Sequence, residues 1–188
     1  MTNKPPVLLL IDIQEGFIDI DFWGGARNNP DAEREAGDLL ARWRANEWPR
    51  VHVKHNSTNP ASPLVKGKPG NAIHHLVQPA EGEPVFEKTV NSAFIGTDLE
   101  KWLRDRQHQD LIVVGMTTDH CISTTVRMAG NLGFRTLLVE DATATFDKKG
   151  IHGEHIPAQT VHDVSLASLH GEFAEVISKA ELLVRLGV

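Results

Sequence analysis

The sequence predicts an α/β domain, a parallel sheet covered by helices on both faces. Three observations carry that prediction. Apolar runs at residues 7–13 and 111–115 lack the polar alternation of a half-exposed strand, as strands buried on both faces require. Segments with apolar residues at helical spacing lie between the strand-like runs. The two kinds of segment alternate, and such alternation leads to parallel strands joined by helical crossovers.

The elements follow in chain order. Residues 7–13 form the first strand. Residues 16–29 are a loop rich in glycine, asparagine and aromatics. Asn29-Pro30 reads as an N-cap and first-turn proline. Ala32, Ala36, Leu39, Leu40 and Trp43 then share one helix face, with Asp31, Glu35, Asp38 and Arg42 on the other. Asp38 and Arg42 have the spacing of an i,i+4 ion pair. Residues 50–55 are a second strand. Residues 56–83 are rich in proline and glycine and lack periodicity, which marks a functional or disordered connection. Residues 85–88 are a third strand. Residues 98–106 are a helix with Leu99, Trp102 and Leu103 on one side. After the 111–115 strand, Ile122, Val126, Ala129 and Leu132 mark the next helix, and Gly133 stands where a left-handed C-cap belongs. Residues 135–140 are a strand. Pro157 opens a helix to about Leu169, 173–177 are a last strand, and Ser178 with Glu181 forms a capping box. No repeat, low-complexity tract or linker intervenes, so the 188 residues read as one domain.

Hydrophobic residues make up 40% and charged residues 23%, a globular balance. A formal net charge of −6 gives no electrostatic basis for binding nucleic acid or an anionic membrane. The apolar run that starts at Val7 is interrupted by Asp12, too soon for a secretory signal or a membrane span, so a cytoplasmic location is expected. The single cysteine excludes an internal disulfide and a cysteine-rich zinc site.

Ligands of open α/β sheets bind outside the carboxyl ends of the strands. Asp12 closes the first strand, Lys88 closes the third, and Cys121 falls in the first turn of the helix after the 111–115 strand. A helix N-terminus and a nearby ammonium favour a thiolate. A carboxylate beside a thiol can take its proton and later return one to a leaving group. Each residue also has a plainer reading: a turn-forming Asp, a solvated Lys, a buried and inert Cys.

The three residues sit in longer motifs. Residues 8–17, Leu-Leu-Leu-Ile-Asp-Ile-Gln-Glu-Gly-Phe, resemble the opening of isochorismatase-like cysteine hydrolases. Lys88-Thr89-Val90-Asn91-Ser92-Ala93-Phe94 resembles that family's lysine segment, and Gly115-Met116-Thr117-Thr118-Asp119-His120-Cys121 its nucleophile segment. The motifs stand in family order, and the resemblance runs from about Val7 to Val184. It implies a three-layer Rossmann-like fold with a six-stranded, mostly parallel sheet, commonly in homo-oligomers, here a dimer or tetramer. It implies an Asp–Lys–Cys triad on Asp12, Lys88 and Cys121. It also implies a cis peptide at Met116–Thr117 that aims the N–H groups of Thr117 and Cys121 at a developing oxyanion.

Nicotinamidases of this family hold a metal with an Asp-x-His pair and a further His. This chain instead has Lys54-His55-Asn56, and no Asp between Arg50 and Pro79, so neither that metal site nor nicotinamide is expected. True isochorismatases cleave a vinyl ether without a thiol, so Cys121 points toward amide hydrolysis. Residues 55–60, 91–94 and 165–173 resemble a subgroup that includes streptothricin hydrolase-type lactamases. The implied activity is hydrolysis of a small amide or lactam through a thioester. Vinyl ether hydrolysis and peroxide-reactive thiol chemistry are the alternatives.

Around this centre, His55 at a strand end is a candidate for the substrate pocket, and Asn91 lies in the lysine segment. Trp23, with Arg27 nearby, either clamps a planar substrate or simply packs its own loop. Phe17 and Phe94 either wall the pocket or fill the core edge. His152-Gly153-Glu154-His155 has metal-like spacing but sits among Gly150, Gly153 and Pro157, and His74-His75 reads as solvated. No Gly-x-Gly-x-x-Gly or Walker pattern follows the first strand, so no nucleotide cofactor is expected, and no metal. The expected partner is a small-molecule substrate.

Overall fold

The computed structural model describes residues 4–188. In chain order the strands are β1 (Val7–Ile11), β2 (Arg50–His55), β3 (Val85–Lys88), β4 (Asp110–Met116), β5 (Arg135–Ala144), β6 (Lys148–Lys149), β7 (His155–Ile156) and β8 (Glu175–Ile177). The helices are α1 (Ile20–Trp23), α2 (Ala32–Ala45), α3 (Leu99–Asp105), α4 (Ser123–Asn131), α5 (Ala158–Leu169) and α6 (Lys179–Leu186). Six strands form one sheet in the order β3-β2-β1-β4-β5-β8, and every pair is parallel. β6 and β7 make a separate antiparallel hairpin.

The unbroken apolar run of β1 has a direct cause. Val7, Leu9 and Ile11 pack on one side with residues of α3, α4 and α5. Leu8 and Leu10 pack on the other with Ala36, Leu39, Leu40 and Trp43 of α2 and Leu182 of α6. Successive side chains of a strand point to opposite faces, so a central strand with helices on both sides is apolar throughout. Three layers result. Strand order reverses between β1 and β4, and a crevice opens there at the carboxyl ends.

Several local expectations are corrected. β1 ends at Ile11, because Asp12 turns into the left-handed region at φ 53°. Asn29 does not cap α2, which starts at Ala32. Its side-chain amide donates to the Glu140 and Thr143 carbonyls at 2.9 and 2.8 Å, tying the loop to the bulged half of β5. Asp38 pairs with Lys179 of α6 at 3.1 Å, a tertiary partner in place of Arg42. β5 runs on to Ala144 past a register shift against β4, and β8 is confined to Glu175–Ile177. The Ser178–Glu181 capping box is present, and Gly133 follows α4 at φ 84°.

The 56–83 connection is ordered by side chains bonded to backbone. Asn71 donates to the His55 and Leu64 carbonyls at 3.0 and 2.8 Å. Gln14 donates to the His55 and Asn71 carbonyls and accepts from the His55 N–H, all within 3.0 Å. Among the described residues no helix is long and apolar enough to cross a membrane.

Candidate active site

Four strand ends converge at the crevice. Gly115 makes the approach of β4 to β1 possible: it has φ 130°, and a Cβ there would lie 1.9 Å from the Ile11 carbonyl oxygen. Any side chain would push the two strand ends apart. Asp12 follows β1, His55 and Lys88 end β2 and β3, and Thr117 to Cys121 follow β4.

Lys88 is the hub. Its Nζ donates to Asp12 Oδ2 at 2.5 Å, to His55 Nδ1 at 3.1 Å and to Cys121 Sγ at 3.3 Å. An ammonium has three N–H donors and no acceptor, so these partners saturate it. The pairing also fixes the tautomer of His55, whose Nδ1 must accept. Burial, and then the Lys88 charge, lower the His55 pKa, which keeps the ring neutral. The Lys88 and Asp12 side chains are 0% and 1% exposed. A buried pair of this kind loses hydration on both ions, and good geometry has to recover it. Asp12 Oδ1 is buried and has no hydrogen-bond partner among the described residues. One donor atom each from Asp12, His55 and Cys121 lies within 4.8 Å of the other two.

Cys121 sits in a widened turn, Thr118–Ile122, closed by the Ile122 N–H bonding to the Thr117 carbonyl at 3.2 Å. The Met116–Thr117 peptide is cis. The thiol is half-buried, and its pKa departs from the expected direction. Burial pushes it up, the neighbouring Asp12 charge pushes it further, and Lys88 opposes them without prevailing. The resting sulfur is therefore a thiol. Sequence reasoning weighed the ammonium and the helix end and had no measure of burial.

Behind the turn, Thr118 Oγ1 bonds His162 Nδ1 of α5 at 2.9 Å, and both residues are buried. Thr145 donates to Asp119 at 2.5 Å. These contacts hold the turn from its inner side.

A cavity of about 160 Å³ opens over the sulfur. Asp12, Phe17, Trp23, His55, Asn91, Thr117 and Cys121 line it. Phe17 and Trp23 stack at 4.6 Å between ring centroids, and the Trp23 indole N–H donates to the Gly16 carbonyl at 2.8 Å. Trp23 thus both packs its own loop and walls the cavity. The cysteine Sγ lies 3.7 Å from Asn91 Oδ1.

Other candidates sit away from the cavity, while Met116 keeps its place in the cis peptide. Phe94 does not reach the cavity. It stacks on Phe134 at 5.7 Å within the core, because the segment turns inward where the Ala93 N–H bonds Thr125 Oγ1. Met116 is 1% exposed and packs beside Phe17 and Phe146, so it shapes the wall from behind. Arg27 points away and forms a two-bond pair with Glu33, both bonds 2.7 Å. His74 is buried, not solvated. His155 bonds Asp147 at 2.8 Å in the β6–β7 hairpin.

Phe22, Ser57, Asn59, Ser62, Leu64 and His120 also line the cavity and were not singled out from the sequence. Ser57 and Asn59 fall within the 55–60 resemblance, whereas the only signal for Ser62 and Leu64 is the proline-rich connection, whose path depends on Asn71 and Gln14. A larger cavity, about 520 Å³, lies at the opposite sheet edge. Its charged lining is largely internally paired, with Arg135 on Asp110 and Arg185 on Glu175, and Cys121 is not part of it. The Asp12–Lys88–Cys121 group opens into the smaller one.

The family that matches is the isochorismatase domain, over residues 6–181. This chain belongs to the isochorismatase family. An uncharacterized isochorismatase family protein of Bacillus subtilis, YrdC, is 40% identical over 181 residues, 96% of each chain. An isochorismatase-family structure from Chromobacterium violaceum superposes with a TM-score of 0.94 at 45% identity, covering 100% of this chain and 96% of that one. Streptothricin hydrolase of Streptomyces noursei is 34% identical over 143 residues, 74% of this chain and 54% of its own length.

Proposed function

We propose that this protein is a cysteine-dependent hydrolase that opens the C–N bond of a small amide or lactam through a thioester. One observation supports this above the rest: Lys88 binds both Asp12 Oδ2 and Cys121 Sγ, a carboxylate oxygen of Asp12 lies within 4.8 Å of the sulfur, and Asp12 Oδ1 has no hydrogen-bond partner among the described residues. A thiol with a raised pKa needs a base, and a carboxylate oxygen with no other partner is one.

Asp12 takes the proton of Cys121 as the sulfur attacks the substrate carbonyl. Negative charge moves to the carbonyl oxygen, which the N–H groups of Thr117 and Cys121 receive. The tetrahedral adduct collapses, the C–N bond breaks, and Asp12 returns its proton to the departing amine. Water, deprotonated by Asp12, then attacks the thioester, and the thiol regains its proton as the acid leaves. Lys88 stays charged throughout. It stabilises the thiolate and orients Asp12, and neutral His55 holds the ammonium in place without adding a competing negative charge.

The cavity suits an uncharged, compact substrate with a planar part against Phe17 and Trp23, since Asp12 and Lys88 neutralise each other. The streptothricin hydrolase relative supports the lactam class. The test is ammonia or amine release over a panel of small amides and lactams. Cys121→Ala should abolish turnover while circular dichroism and the thermal midpoint stay near those of the parent. Turnover that persists in the folded variant would end the proposal.

A further inference from the structure

We propose that Glu15, His74 and His75 form a binding site for a divalent transition-metal ion, with zinc as the reference case. The site is independent of the hydrolase reading, and none of its residues lines the cavity.

The donor set comes first. One ligand atom from each of the three side chains lies within 4.8 Å of the others. Two imidazoles and a carboxylate are the donors of open zinc sites, which leave a fourth position for water. Metal–ligand distances of about 2.0–2.1 Å in a tetrahedron place neighbouring donor atoms roughly 3.3 Å apart. His75 Nδ1 and Glu15 Oε1 are already 3.3 Å apart. The His74 ring lies beside that of His75, centroids 4.3 Å apart, so a small movement of one ring completes the set. His75 is 71% exposed at its side chain, which leaves an entry path and room for the fourth ligand.

The protonation states also fit. Metal ligands must be neutral imidazole and ionised carboxylate. Burial lowers the His74 pKa, against smaller opposing effects of Glu15 and Glu33. Burial would raise that of Glu15, but hydrogen bonds from the His75 backbone and ring outweigh it. Arg27 also faces His74, but its charge is matched by the two-bond pair with Glu33.

The backbone is fixed in advance. The Glu15 N–H bonds the Ala72 carbonyl and the His74 N–H bonds the Ile13 carbonyl, both at 2.9 Å, around the Gln14–Ile73 bridge. An ion here would clamp residues 72–77 to the segment leaving Asp12. That would stiffen the connection that supplies Ser57, Asn59, Ser62 and Leu64 to the cavity wall. The other cluster of possible ligands, Asp12, His55 and Cys121, is unsuited to a cation because the Lys88 ammonium bonds all three.

The test uses the full chain as Cys121→Ser, which removes the thiol as a competing ligand. Protein freed of metal is titrated with zinc against a chromophoric chelator near neutral pH. One equivalent should bind, and the thermal midpoint should rise with zinc concentration. In the same background His75→Ala should lose at least about tenfold in affinity, together with the thermal shift. Its metal-free midpoint should match the parent, since the ring is exposed. Glu15→Gln, which keeps an acceptor for the His75 N–H, should weaken binding likewise. No binding in the parent, or equal binding in both variants, would overturn the site.

Discussion

Replacing Lys88 by methionine should destabilise the fold far more than loss of a surface lysine would. The Lys88 and Asp12 side chains are 0% and 1% exposed and 2.5 Å apart. Methionine keeps much of the stem volume but removes the ammonium. The Asp12 carboxylate is then buried with neither oxygen paired, because Oδ1 has no partner even in the parent. Breaking a buried pair from one side costs about 3–5 kcal/mol. With a urea slope of about 2–3 kcal/mol/M, the midpoint should fall by roughly 1–2.5 M. The companion change is Asp12→Asn, since Asp12 has φ 53° and asparagine tolerates the left-handed region. Asp12→Asn/Lys88→Met removes both charges, so it should be less destabilised than the two single changes summed, by about 0.5–3 kcal/mol. Urea melts of the four proteins complete the cycle. Single changes that cost under about 1 kcal/mol, or effects that add within about 0.5 kcal/mol, would refute the buried-pair argument.

Two further outcomes follow from the charges. Cys121 should react slowly with a neutral alkylating agent near pH 7, and Asp12→Asn should speed it, about three- to fourfold for each pKa unit by which the thiol falls, because the Asp12 charge helps hold that pKa up and a thiolate of lower pKa is also less nucleophilic. A slower reaction in Asp12→Asn would contradict the reading that the Asp12 charge holds the thiol pKa up. His52 and His162 are 1% and 3% exposed, and burial lowers both pKa values. The unfolded chain therefore binds protons first as pH falls through about 6.5, and stability present above that pH drops by about 1.4 kcal/mol per pH unit for each group. Urea melts from about pH 7.5 to about 5.5 read this directly, and a flat profile would exclude it.

The chain by itself determined the α/β class, the capping box at Ser178 and the strand-end positions of Asp12 and Lys88. These follow from local rules: strand and helix periods, cap chemistry, and the placement of reactive groups at carboxyl ends. Motif order pointed to Cys121, Lys88 and Asp12 as one group. Which way a side chain turns is another matter. Phe94 faces Phe134 and Phe17 faces the cavity, although both read alike as aromatics beside a motif. Asn29 and Asp38 chose partners more than a hundred residues away, where spacing had offered neighbours. The direction of the Cys121 shift is likewise tertiary, since burial and the Asp12 charge outweigh the ammonium that the strand-end placement of Lys88 offered. Periodicity and capping act within a few residues and are written in the chain. Desolvation, charge balance and the choice of a distant hydrogen-bond partner arise only once strands far apart in sequence lie side by side.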